Sequence, residues 1–139
     1  MVVQMKQENV HFFTKEEEEF ANLLIETDMK KNTAKVLVFL ANITEATSRV
    51  IERGLGLRQP EVSIAIRFLI EQNWITCRKG KPESRGQPVK IYKLARPMRE
   101  IIAGIENKNK IEAGKKFAVI QKLREYCIWS NDIRERMFF

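Results

Sequence analysis

The stretch Gly56-Leu57-Arg58-Gln59-Pro60-Glu61-Val62-Ser63 decides how this chain folds. Pro60 has a fixed φ that suits the first turn of a helix, and the N–H it lacks would have no intrahelical partner there. A helix is therefore expected from Gln59 to Gln72. Val62, Ile66, Leu69 and Ile70 recur at helical spacing and mark its buried face. The opposite face carries Gln59, Glu61, Ser63, Ile64 and Arg67, with amide, hydroxyl and guanidinium groups of the kind that reach base edges or phosphates.

Working upstream, Ala46 to Arg53 reads as a shorter helix, with Thr44 or Thr47 as its cap and Val50 and Ile51 facing inward. Gly54 and Gly56 permit the positive φ of a tight turn. Helix, glycine turn and helix make a helix-turn-helix. Downstream, Trp74-Ile75-Thr76-Cys77-Arg78 and Val89-Lys90-Ile91-Tyr92-Lys93-Leu94 are rich in β-branched and aromatic residues and are expected to pair as a hairpin. The loop Lys79 to Pro88 between them is too polar and proline-rich to be buried, so it projects as a wing.

The run Leu55-Gly56-Leu57-x-Gln59-Pro60-x-Val62-Ser63, the later Leu69, Trp74 and Ile75, and Gly86-x-Pro88-x-x-x-Tyr92-x-Leu94 together resemble the winged helix-turn-helix regulators of the ArsR, MarR and TrmB type found in archaea and bacteria. The resemblance covers roughly residues 33 to 94. It implies a mainly α fold with a small β-hairpin and a winged helix-turn-helix domain, to which the apolar stripes after residue 96 add a C-terminal helical extension expected to dimerise. It also implies a sequence-specific transcriptional regulator, with the second helix in the major groove and the wing on phosphate or in the minor groove. Arg58 departs from the pattern, because such families usually place a serine or threonine cap there. The cap is either lost or passed to Gln59, and Arg58 becomes a candidate phosphate contact.

Charge locates the same surface. The chain of 139 residues has a net charge of +7. Residues 75 to 99 alone hold Arg78, Lys79, Lys81, Arg85, Lys90, Lys93, Arg96 and Arg99 against the single acid Glu83, which accounts for the whole excess. Residues 1 to 30 set three lysines against seven acids. This polarity orients the molecule on an anionic polymer with the wing toward it. The candidate DNA-binding residues are Arg58, Gln59, Glu61, Ser63, Ile64, Arg67, Arg78, Lys79, Lys81, Arg85 and Lys90, and the expected partner is double-stranded DNA.

Thr14-Lys15-Glu16-Glu17 is a capping box that opens a helix over residues 14 to 28, with Phe20, Leu23 and Leu24 on one face. Asn32 or Thr33 caps a second helix over residues 33 to 42, whose Val36, Leu37, Phe39 and Leu40 are apolar nearly all round, as in a central core helix. With the helix-turn-helix at 44 to 72 and the wing at 74 to 94, residues 1 to 96 form the winged domain and residues 97 to 139 the extension. Pro97 opens the extension, in which Met98, Ile101, Ile102 and Ile105 and then Phe117, Ile120, Leu123 and Tyr126 form apolar stripes around a polar middle at residues 107 to 114. One continuous helix and two helices both fit that pattern. The stripes are the candidate homodimer interface, with folding back onto the same domain as the alternative.

Other classes of function find little support. Cys77 and Cys127 lack a paired spacing and His11 is the sole histidine, so no metal site and no cofactor are expected, and the thiols read as reduced small hydrophobes. Neither a nucleophile–base constellation nor a phosphate-loop pattern occurs, which argues against an enzyme. No apolar run is long enough for a membrane span and no secretory signal precedes Phe12, so a cytoplasmic protein is expected. No residue pattern identifies a small-molecule effector. Two alternatives use the same surface: a nonspecific architectural or chromatin DNA binder, and a winged-helix protein-interaction module.

Overall fold

Thr14 starts the first helix by a reciprocal exchange with Glu17. Its hydroxyl accepts from the Glu17 N–H at 3.2 Å, and the Glu17 carboxylate accepts from the Thr14 N–H at 2.9 Å. The structure is a computed structural model that describes residues 13–81 and 87–138, with side chains as far as Ser130. Its elements are α1 (Lys15–Glu26), α2 (Lys31–Asn42), β1 (Ala46–Thr47), α3 (Ser48–Leu55), α4 (Gln59–Glu71), β2 (Ile75–Lys79), β3 (Lys90–Leu94) and α5 (Met98–Phe138). The fold is mainly helical with one small antiparallel sheet in the order β1-β3-β2.

The core forms around α2, which packs against α1, α3 and α4. Ala34 and the run Val36 to Leu40 are all buried, so this helix is apolar nearly all round because it is covered nearly all round. Ile51 of α3, Val62, Ala65, Ile66 and Leu69 of α4, and Ile75 of β2 complete the packing. Three stripe assignments shift. Leu23 is 62% exposed, Ile70 39% and Val50 37%, while their neighbours Leu24, Leu69 and Ile51 are buried. Each pair is adjacent in sequence, and consecutive helical residues diverge by about 100°, which carries one of the two past the edge of the buried face.

Caps and turns correct the sequence reading in detail. Helix α2 starts two residues early, at Lys31, with Lys30 at the cap position and no side-chain cap. Thr33 is buried inside the first turn, and Asn32 is turned toward Glu61. Ala46 and Thr47 are not helical but form β1, which pairs with Tyr92 and Ile91. Thr47 then caps α3, its hydroxyl accepting from the Val50 N–H at 3.3 Å. Of the two glycines only Gly56 adopts a left-handed φ, +65°, and it ends α3. After α4, Asn73 at φ +62° turns the chain so that the Trp74 N–H donates back to Leu69 O at 3.1 Å. That turn delivers Ile75 into the sheet.

Helix α5 is continuous across the polar middle, which settles the choice left open by its sequence. Gly104 and Gly114 lie within it with open space where a Cβ would stand, so neither marks a close approach or a break. The chain divides into two compact units, with the boundary between Ile101 and Ile102. The second unit is helix alone. Among the described residues, no helix is long and apolar enough to cross a membrane.

Candidate nucleic-acid interface

Helix α4 begins without the usual side-chain cap. An arginine side chain offers no acceptor, so Arg58 cannot satisfy an N–H of the first turn. The opposite half of a capping box is present instead, with the Glu61 carboxylate accepting from the Arg58 N–H at 2.9 Å. The other Glu61 oxygen receives the Asn32 side-chain amide at 3.4 Å. Glu61, expected at the DNA surface, is thus a half-buried brace between α4 and α2. The Arg58 side chain is exposed.

At about 100° per residue, Pro60, Ile64 and Arg67 point directly away from the buried line of Val62 and Leu69. Pro60 and Arg67 are exposed and Ile64 is 60% exposed. Gln59 and Ser63 lie to one side of that line, toward the hairpin. There they line a cleft of about 400 Å³ with Ser48, Ile66, Pro88, Val89, Lys90 and Tyr92. No acidic side chain lines it among the described residues.

The hairpin's pleat sorts its cations. Register pairs Ile75 with Leu94, Cys77 with Tyr92, and Lys79 with Lys90. Ile75 and Tyr92 are buried, so this set belongs to the face turned toward the core, which carries Lys79 and Lys90 on the side of α4. Thr76, Arg78, Ile91 and Lys93 alternate onto the other face. On that face Arg78 forms an ion pair with Glu45 at 2.7 Å, both side chains being partly exposed. Arg78, a candidate DNA contact, is therefore occupied by a carboxylate on the far side of the wing. Lys81 follows β2 and is exposed, and Arg85 lies outside the described residues.

Tyr92, one of the residues that line the cleft, is buried. Burial first, and then the neighbouring Cys77 through charge and a side-chain hydrogen bond, push its phenol above the ordinary tyrosine range. Glu45, Ser48, Asn32 and Tyr92 were not singled out in the sequence as site or bracing residues. Glu45, Ser48 and Tyr92 are placed around β1, a strand of two residues that carries no periodic signal, and Asn32 is placed by the packing of α2 on α4.

The expected dimer residues separate into two groups. Ile101 and Ile105 are buried in the single chain. Spaced four apart, they occupy one side of α5. Met98 is half-buried, whereas Ile102, Phe117, Ile120, Leu123 and Tyr126 are exposed.

No family model matches the sequence, and a search of curated proteins finds no match. Solved structures do match. A possible transcriptional regulator from Methanosarcina mazei Go1 superposes with a TM-score of 0.57 at 19% identity, over 71% of this chain and 80% of that one. A second transcriptional regulator superposes with a TM-score of 0.51 at 17% identity, over 73% of this chain. This chain spans 65% of that protein's length, just under two thirds. Element order, the glycine turn before α4, the hairpin after it and these superpositions agree on the winged helix-turn-helix fold.

Proposed function

We propose that this chain is a homodimeric, sequence-specific DNA-binding regulator of transcription. One observation carries the reading: Lys79 and Lys90 are cross-strand partners on the face of the wing that adjoins Gln59 and Ser63, beside a cleft that no acidic side chain lines among the described residues. A pair of adjacent ammonium groups suits a phosphate backbone. Helix α4 enters the major groove with Gln59, Ser63, Ile64 and Arg67 toward the bases, while Arg58, Lys79, Lys81, Arg85 and Lys90 hold phosphates on either side. The description of both solved neighbours as transcriptional regulators supports the same reading.

A second copy completes the reader. Phe117, Val119, Ile120, Leu123, Tyr126, Ile128 and Trp129 are exposed along a single helix that cannot bury them by itself. Pairing through them presents two α4 helices to half-sites about one helical turn apart. Selection from random duplex DNA at near-physiological salt tests the proposal. An enriched motif with twofold symmetry is the expected result. General binding without a motif would point to an architectural role, and no binding would leave a protein-interaction module.

A further inference from the structure

We infer that Ile64 reads the 5-methyl group of a pyrimidine, the methyl of thymine, in the major groove; this rests on the duplex-binding reading above. Ile64 is 60% exposed at the centre of the outward line of α4, one turn after exposed Pro60 and one turn before exposed Arg67. Pro60 and Ile64 make a small apolar patch framed by Gln59 and Ser63 on the wing side and Arg67 beyond. Of the four bases, thymine alone carries a methyl group on its major-groove edge, beside the donors and acceptors that the others also show. A branched aliphatic side chain pressed on any polar edge would displace water without replacing its hydrogen bonds. The methyl alone matches it. The cationic wing supplies charge complementarity to the duplex, and the apolar patch supplies discrimination within it.

The test uses the full-length chain and the duplex recovered by selection, with each thymine replaced singly by deoxyuridine, which removes only the methyl. At one thymine per half-site affinity should fall about fourfold, the worth of one buried methyl. Replacing that thymine by cytosine should cost more than replacing it by 5-methylcytosine. Ile64→Ala should bind thymine and deoxyuridine duplexes equally, with its circular dichroism unchanged, and Ile64→Val should keep most of the discrimination. Indifference of the wild type to the methyl at every position, or discrimination that survives in Ile64→Ala, would overturn the inference while leaving duplex binding intact. Failure to bind any duplex would remove both readings.

Discussion

Lys79 on β2 and Lys90 on β3 are direct cross-strand partners at a position where the ladder makes no hydrogen bond between them. The next pair outward is hydrogen-bonded through the Gly80 N–H to Val89 O, and such pairs alternate with unbonded ones along an antiparallel ladder. Side chains are closest at the unbonded positions, so the two ammonium groups repel at short range. Lys90→Gln should therefore raise stability by about 0.2–0.5 kcal/mol in urea unfolding. The same variant should weaken binding to every duplex alike and lower the slope of log affinity against log salt by about one. A destabilised Lys90→Gln protein with unaltered salt dependence would assign the pair a structural role.

Glu61 braces the start of α4 through the Arg58 N–H and the Asn32 amide. Glu61→Ala should cost about 1 kcal/mol of stability, as the loss of a helix-start hydrogen bond does. It should leave the selected motif unchanged, because the carboxylate is turned to the protein. Combining it with Asn32→Ala should cost less than the two separate losses together, since both variants remove one shared contact.

How far the sequence could be read follows from which signals are local. Pro60, Gly56 and the Thr14–Glu17 capping box act within a few residues, and each does in the fold what its chemistry requires. The hairpin was legible for the same reason, in the alternation of Val89 to Leu94. The facing of its cations was not, because the register of β2 on β3 decides whether Arg78 or Lys79 shares a side with α4. The bracing contacts of Glu61 were not legible, because an acid at the third helical position looks alike from sequence whether it meets solvent, a ligand or the backbone of Arg58. Ile101 and Ile105 share an unbroken apolar stripe with Ile102, and only burial separates the first two from the exposed third.

The pleat makes a paired prediction about the wing. Arg78→Ala breaks an exposed ion pair with Glu45 and should change stability by no more than about 1 kcal/mol, with the salt slope of DNA binding nearly unchanged. Lys79→Ala, one residue later on the opposite face, should lower that slope by about one. Equal effects of the two variants in parallel salt titrations would contradict the assignment of faces.

Tyr92 links folding to alkaline pH. Burial and the adjacent Cys77 hold its folded pKa above the unfolded value of about 10, so the neutral phenol is favoured in the fold. Its contribution to stability is complete below that unfolded value and is lost as pH rises through the folded pKa, because the unfolded chain releases the proton first. Urea midpoints should therefore fall more steeply above about pH 10 in the wild type than in Tyr92→Phe. Parallel curves for the two proteins would show that Tyr92 is not the group responsible.

The distal part of α5 carries the last expectation. Phe117, Ile120 and Leu123 follow one another at three-residue steps and are exposed, so a single copy leaves a broad apolar arc in water. An isolated helix of this kind has little to stabilise it beyond its own hydrogen bonds, since most helical stability in proteins comes from a packed face. Ile120→Glu combined with Leu123→Glu should convert a dimer to a monomer in sedimentation equilibrium at micromolar concentration. Helical circular dichroism should fall with it, as the distal turns lose the surface that holds them. The winged unit, which ends at Ile101, should remain folded. Binding to a two-half-site duplex should then drop to the affinity for a single half-site, because the second contact is no longer intramolecular. A wild-type chain that is monomeric at these concentrations with its helix fully formed would show that α5 is stabilised without a second copy.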